Sequence, residues 1–192
     1  MALSLPIDPA ANDLLNRSPL ALLLGMVLDQ QIPLEKAFSS PYVLAQRLGH
    51  EPTAEELAGY DREALVTLFA TPPALHRFPK AMAERVQQVC RILVERYGGD
   101  PAGLWVDART GAELLSRIAD LPGFGRQKAQ IFLALLGKRY DVRPAGWQAA
   151  AGGYGEPDAY RSVADITDPD SLARVRSYKQ EMKAAAKARG AG

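Results

Sequence analysis

The 192-residue sequence is long enough for one domain, or two interleaved lobes, and its 47% hydrophobic and 23% charged residues are typical of a globular protein. Its single cysteine, Cys90, excludes an internal disulfide and a multi-cysteine metal site. The net charge of +1 excludes no class of partner by itself. The apolar run at residues 20–28 is too short to cross a bilayer and lacks the features of a secretory signal, so we expect a cytoplasmic protein.

The first predicted elements are all helices. Ser18-Pro19 is typical of a helix cap followed by a first-turn proline, and the leucine-rich residues after it predict a buried helix. Ser40-Pro41 predicts the start of another helix, which ends near Gly49. Thr53 and Glu56 form a capping-box pattern, which indicates a further helix start.

The middle of the chain contains the clearest amphipathic helix. It opens at Pro79, its apolar residues repeat at three- and four-residue steps, and Gly98-Gly99 ends it. Thr110 and Glu113 form a second capping-box pattern, so the next helix is predicted from about Gly111 to Ala119. Strand signals hardly occur, and we expect an all-α protein with nine to eleven short helices.

The last third of the chain combines an irregular segment with a basic helix. Four glycines and two prolines between residues 144 and 158 predict a loop or a series of turns. Asp168-Pro169 begins a helix at 169–189, which we expect to fray at Gly190. Its cations are Arg174, Arg176, Lys179, Lys183, Lys187 and Arg189. This charge suits either a solvated tail that aids solubility or a positive face presented to a polyanion, and the sequence favours neither.

The most informative motif is Leu121-Pro122-Gly123-Phe124-Gly125, between two predicted helices. Two glycines one residue apart permit a tight turn and leave no side chain between the backbone and a ligand. The turn amides and the start of the next helix would then donate to an anion, most naturally a phosphate. The alternative is a plain helix–helix turn, but the apolar residues on both sides favour the phosphate site. We predict that phosphate is bound by Leu121, Gly123, Gly125, Arg126 and Lys128.

This motif, within residues 90–140, resembles the helix-hairpin-helix/GPD superfamily of base-excision repair DNA glycosylases. Leu28-Asp29-Gln30-Gln31 is similar to the family segment whose glutamine projects toward the lesion. The likeness covers roughly residues 19–143, and the chain looks like a small actinobacterial-type group of glycosylase-like members without an iron–sulfur cluster. The resemblance implies an all-α, two-lobed fold in which DNA lies across a cleft and the target base is flipped out of the stack.

The resemblance also implies a domain organisation. We expect residues 19–138 to form a helical barrel that contains the helix-hairpin-helix at 111–138. Residues 1–18 together with 139–192 would form a terminal lobe, which contains the glycine-rich loop and the basic C-terminal helix.

The catalytic positions of the family do not carry over cleanly. Bifunctional members have a lysine two residues after the second glycine, where this chain has Gln127, so a Schiff-base lyase is not expected. The family aspartate should follow about eighteen to twenty residues later, but that count reaches Ala145-Gly146-Trp147. Asp141 is the nearest carboxylate and the predicted catalytic residue. It could equally be a helix-end residue paired with Arg139 or Arg143.

Two consecutive amides, Gln30 and Gln31, end the apolar helix and need hydrogen-bond partners inside or outside the protein. We predict that at least one of them enters the lesion cleft, together with Gln127 and Trp147. Asp29, beside the two amides, is a second candidate for a carboxylate in the cleft.

Aromatic residues in the irregular segment have two interpretations. Trp147, Tyr154 and Tyr160 could stack on a flipped base or wedge into the duplex. They could also be packing anchors for a loop without regular structure, and this interpretation is slightly favoured.

The sequence therefore predicts a monomeric, nucleoid-associated base-excision repair protein that binds damaged double-stranded DNA and acts as a monofunctional DNA N-glycosylase without AP lyase activity. The alternative is a non-catalytic DNA-binding or lesion-recognition module that has lost the catalytic aspartate. No cofactor is expected, since an iron–sulfur cluster needs four cysteines. A monovalent cation held by hairpin carbonyls near Leu121 and Gly123 is implied by the resemblance alone. Nucleotide-binding glycine patterns and a nucleophile elbow are missing from the sequence, which gives a metabolic enzyme little support.

Overall fold

The computed structural model describes residues 3–189, and within that range it contains ten α-helices and no strands, as predicted. The fraying predicted at Gly190 lies outside the described residues. No described helix combines the length and apolar character that a membrane crossing requires. The helices are α1 (Pro9–Arg17), α2 (Pro19–Leu28), α3 (Leu34–Leu48), α4 (Ala54–Gly59), α5 (Arg62–Ala70), α6 (Pro79–Tyr97), α7 (Gly111–Ala119), α8 (Arg126–Arg139), α9 (Trp147–Ala151) and α10 (Pro169–Arg189).

Helix α2 is the buried helix that its leucines predict. The Ser18 hydroxyl accepts a hydrogen bond from the Ala21 amide at 3.2 Å, which satisfies one of the free donors at the helix start. Residues 20–28 are all buried, because apolar side chains occur on every side of the helix. The helix packs against α1, α3 and α6, and so lies at the centre of the N-terminal half.

The predicted helix start at Ser40-Pro41 is wrong, because α3 already begins at Leu34 and Pro41 lies inside it. Proline removes one backbone hydrogen bond from the helix. The buried side chains of Phe38 and Leu44 compensate by packing into the core on both sides of the proline. Gly49 ends the helix in the left-handed conformation, with φ of 79°, as predicted.

The predicted bounds of α6 and α7 are confirmed, and α8 begins at Arg126, directly after the glycine turn. Helices α4 and α5 pack on α6, and α7 and α9 pack on α8. The Thr110 hydroxyl accepts from the Glu113 amide at 3.1 Å, which caps α7. The Glu113 carboxylate accepts from the Arg109 amide, one residue before the cap.

The segment predicted as turns contains the five-residue helix α9, followed by a 3₁₀ turn at Gly152–Tyr154. Backbone hydrogen bonds fix its entry: the Gly111 amide donates to the Ala145 carbonyl at 2.8 Å. A side chain at Gly111 would clash, since its Cβ would lie 2.4 Å from the Trp147 Cα. At the other end of the chain, α1 packs on α2 and α3. The division into a barrel and a terminal lobe stays a prediction.

Candidate nucleic-acid interface

The turn between α7 and α8 is held by two apolar side chains. Leu121 and Phe124 are 2% and 5% exposed and belong to the hydrophobic core. The Leu121 amide donates to the Ile118 carbonyl, and the Phe124 amide donates to the Leu121 carbonyl, both at 3.1 Å. These anchors fix the turn so that the residues between and after them face outward. Leu121 is therefore an anchor of the turn, and its amide is not free to bind phosphate as predicted.

The exposed part of the turn presents hydrogen-bond donors. The amides of Gly123, Gly125 and Arg126 donate to no acceptor in the described part of the chain, and all three residues are exposed. Gly125 caps α8 without any side-chain hydrogen bond. The start of a 14-residue helix adds the positive end of its dipole at the same point. This arrangement can bind a phosphate-sized anion.

The two glycines of the turn differ in what they do. Gly123 has φ of 87°, and a Cβ built there would lie 2.6 Å from the Arg85 Cδ, so the fold itself requires glycine. Gly125 has an ordinary φ of −73°, and nothing lies within 4 Å of a Cβ built there. Neither the backbone conformation nor internal packing requires glycine at position 125. The space above this residue is open and can hold a ligand.

Lys128 does not point toward these amides. Its Nζ donates to the Val27 carbonyl at 2.9 Å and lies 5.4 Å from the centre of the Phe124 ring. Burial lowers the pKa of Lys128 to about 8, and the Asp29 carboxylate opposes that shift. The prediction that Lys128 holds phosphate is therefore not supported, because its side chain turns inward to the end of α2. Arg126, by contrast, is exposed beside the free amides.

The turn after α2 lies directly beside this hairpin. The Arg85 guanidinium donates to the Gln30 Oε1 at 2.9 Å, and the same Arg85 side chain packs against Gly123. The fully buried His76 ring fixes the backbone: its Nδ1 accepts from the Phe78 amide, so its Nε2 donates to the Gln30 carbonyl at 2.9 Å. Burial lowers the pKa of His76, which keeps the ring neutral. Arg85 thus couples the glutamine turn to the glycine turn.

Gln31 protrudes from the same turn. It is exposed, it has a φ of 58°, and its side chain forms no hydrogen bond with any described residue. A non-glycine residue in the left-handed region costs of order 1–3 kcal/mol, and such residues cluster at functional sites. Gln31 is therefore well placed to contact a ligand bound on the hairpin.

Asp29 completes the group that we call the Asp29 cluster: Asp29, Gln30, Arg85 and Lys128. Asp29 ends α2. Burial raises its pKa, whereas the positive charges of Lys179 and Lys128 lower it. A carboxylate and an amine with perturbed pKa values beside a turn with free amides are the features expected of a functional site.

The other predicted site residues lie elsewhere. Asp141 follows the last residues of α8, about 20 Å along that helix from the glycine turn. Its side chain is 85% exposed and pairs with Arg143 at 3.2 Å. Asp141 is therefore a helix-end residue paired with Arg143, and this position does not support the catalytic role predicted for it.

Gln127 and Trp147 belong to the packing between α8 and the segment after it. The Gln127 side chain donates to the Tyr154 hydroxyl at 2.7 Å. The Trp147 ring lies on Gly137, where an added Cβ would be 2.4 Å from the ring. The Tyr160 ring is stacked by Arg174 at 4.6 Å. These contacts fit the packing-anchor interpretation and do not bring Gln127 or Trp147 to the Asp29 cluster.

Sequence reasoning missed His76 and Arg85. Arg85 is an off-stripe residue of an amphipathic helix, and its contact with Gln30 spans 55 positions. No local pattern signals such a contact. The cation implied at the hairpin would use neutral carbonyls, of which the Leu121 carbonyl already accepts one hydrogen bond. One lone pair of that oxygen remains, which fits a loosely held monovalent ion, and the ion stays a prediction.

Comparison with known proteins agrees with this geometry. The model of one family, described as HhH-GPD superfamily base excision DNA repair protein, matches residues 24–190. The matched range contains the glutamine turn, the hairpin and helices α3 to α10 in full. No curated protein matches the sequence.

Proposed function

The chain belongs to the HhH-GPD superfamily of base excision DNA repair proteins, and we propose that it binds damaged duplex DNA and excises a base as a monofunctional DNA glycosylase. DNA binding follows from the family. The observation that carries the finer proposal is the glycine turn, whose free amides lie beside the Asp29 cluster.

The hairpin would hold one DNA strand by its phosphates. The amides of Gly123, Gly125 and Arg126 can donate to phosphate oxygens, and the Arg126 side chain adds a positive charge. Such contacts position the duplex without reading its sequence. Gln31, on the adjacent turn, would then enter the duplex where a damaged nucleotide leaves the stack.

We assign the carboxylate function to Asp29 rather than to Asp141. Positive charge develops on the sugar as the glycosidic bond breaks, and a nearby carboxylate can stabilise it or prepare the attacking water. Asp29 lies beside the hairpin and is half-buried, where such a charge acts more strongly than on the open surface. Lys128 favours the ionised form of Asp29, so we give it a positioning role through that carboxylate.

Binding is tested with duplexes that do or do not contain a stable abasic-site analogue. We expect tighter binding to the damaged duplex, and a loss of affinity of at least tenfold in Gly125→Ala, because a methyl group would occupy the space above the amides. Gly59→Ala is the matched control, since Gly59 is also exposed with nothing within 4 Å of an added Cβ. No binding by the wild type at low salt would refute the proposed function.

Excision is tested on duplexes that each carry one damaged base. Asp29→Asn should abolish base release and leave binding near the wild-type level, whereas Asp141→Asn should release base normally. Loss of release in Asp141→Asn with retained release in Asp29→Asn would reverse the assignment.

A non-catalytic lesion-recognition protein is the second candidate. The observation in its favour is that Ala145-Gly146-Trp147 offers no carboxylate where the family has its aspartate. This candidate would be favoured by tight, damage-dependent binding without release of any base from the tested duplexes.

A further inference from the structure

The C-terminal helix α10 runs from one end of α8 to the other. It follows a 3₁₀ turn at Val163–Asp165, which contacts the end of α8 through a hydrogen bond from Arg139 to the Ala164 carbonyl at 2.8 Å. Further along, Arg176 pairs with Glu35 at the start of α3. Lys179 then lies close enough to Asp29 to affect its ionisation, and Asp29 is next to the first turn of α8.

Beyond Lys179 the helix leaves the body of the protein. Residues 179–188 are all exposed, and they extend about 15 Å past the Asp29 cluster. Because α10 travels from the end of α8 toward its beginning, this projection emerges on the side of the molecule that carries the glycine turn. Ala184, Ala185 and Ala186 are strong helix formers, which favours a helix here without tertiary packing.

The positive charges of this projection lie on one face. Val175 is buried against the body, and Lys179, Lys183 and Lys187 follow it at four-residue steps. Residues four apart lie about 40° from each other around a helix, so the three lysines share one face, which turns progressively away from the buried side at Val175. We call Lys179, Lys183 and Lys187 the C-terminal basic face.

The charge of this face is not neutralised inside the protein. None of its three lysines forms a hydrogen bond or an ion pair with another residue in the range 3–189. Glu181 is the single acidic residue after Arg176, and it lies on the opposite side of the helix, next to Ser177. A row of unpaired cations beside a phosphate-binding turn has the charge and shape to follow a DNA backbone.

We propose that the C-terminal basic face is a second DNA-binding surface, which holds the phosphates of the duplex flanking the site gripped by the hairpin. This inference rests on the proposed function, because it needs DNA on the hairpin side of the molecule. The contacts would be electrostatic and independent of base sequence, and would add to affinity through counterion release.

The test measures affinity for an undamaged duplex over a series of salt concentrations. Each phosphate contact contributes about 0.9 to the slope of log affinity against log salt, so Lys179→Gln/Lys183→Gln/Lys187→Gln should reduce that slope by about 2.7. All three side chains are exposed, and the fold should not change.

A variant with unchanged composition separates the position of the charge from its amount. Lys183→Ala/Lys187→Ala/Ala185→Lys/Ala188→Lys keeps the net charge and the alanine content, but moves two cations to the other side of the helix. We expect it to lose about 1.8 of the slope. A wild-type slope in this variant, or in the triple glutamine variant, would overturn the proposal.

Gly125→Ala in the same assay distinguishes the two proposals. Weak binding by Gly125→Ala, with wild-type slopes in both lysine variants, would leave the hairpin function intact and refute the basic face. If the wild type does not bind the duplex at low salt, the proposed function fails and this inference fails with it.

Discussion

The two glycines of the hairpin should respond to alanine in opposite ways. At Gly123, alanine must adopt a φ of 87°, which costs about 1–2 kcal/mol. Its methyl group would also meet the Arg85 Cδ at 2.6 Å, and displacing Arg85 breaks a hydrogen bond to Gln30 worth about 1 kcal/mol. We therefore expect Gly123→Ala to lower the free energy of unfolding by about 2–3 kcal/mol.

At Gly125, the backbone conformation suits alanine and the space above it is open. Alanine is a poorer helix cap than glycine by roughly 0.5–1 kcal/mol, but it stabilises the fold by about 0.4–1 kcal/mol because it restricts the unfolded chain. These effects cancel to within about 0.5 kcal/mol, so Gly125→Ala should fold normally and fail only in DNA binding.

Urea unfolding followed by circular dichroism measures both changes, and thermal unfolding should show a fall of roughly 4–12 °C for Gly123→Ala. Equal destabilisation by both substitutions would refute the distinction between a glycine that the fold requires and one that the ligand requires. So would a stable Gly123→Ala variant.

Three further predictions concern buried charges. Burial lowers the pKa of Lys128 from 10.5 to about 8, so its charged form is disfavoured by about 3 kcal/mol in the folded state. The free energy of unfolding of the wild type should therefore rise by up to this amount between about pH 8 and 10.5. Lys128→Met should not show this rise. The Asp165 side chain is 2% exposed and pairs with Lys138. Asp165→Ala should therefore lower the free energy of unfolding, measured in urea, by about 3–5 kcal/mol. Asp158→Ala, at an exposed position, should lower it by less than about 0.5 kcal/mol. Borohydride should trap no covalent adduct with abasic DNA, because the Lys128 amine donates a hydrogen bond to the Val27 carbonyl. An adduct that disappears in Lys128→Gln would contradict the monofunctional assignment.

The parts of the fold that depend on local signals could be predicted from the sequence. The glycine turn and both of its helices follow from residues 110–126 alone, since caps and glycines act within a few positions. The prediction at Pro41 failed because the packing of Phe38 and Leu44 outweighs the bond that proline removes. Helix α9 is only five residues long, too short to produce a periodic pattern.

The candidate site was only partly predictable, because its contacts join distant segments. The motif places Gly125 and Arg126 at the turn, but it does not distinguish which cation points outward. The direction of Lys128 depends on the carbonyl of Val27, 101 positions earlier. Asp29 was recognised as a candidate only through its neighbours, and its burial depends on packing that no local pattern describes.

The distribution of charge explains how a protein with a net charge of +1 can hold a polyanion. In the proposed complex, the free amides of the hairpin hold phosphate, and the exposed Arg126 side chain adds one positive charge there. Lys128, in the first turn of α8, points inward, where its charge favours the ionised form of Asp29. On α10, Lys179 acts on Asp29, but Lys187 lies about 12 Å further along the helix, beyond the Debye length of about 8–10 Å at which salt screens a charge. Affinity and the state of the carboxylate can therefore be changed independently, since a substitution at Lys187 acts on the first and one at Lys128 on the second.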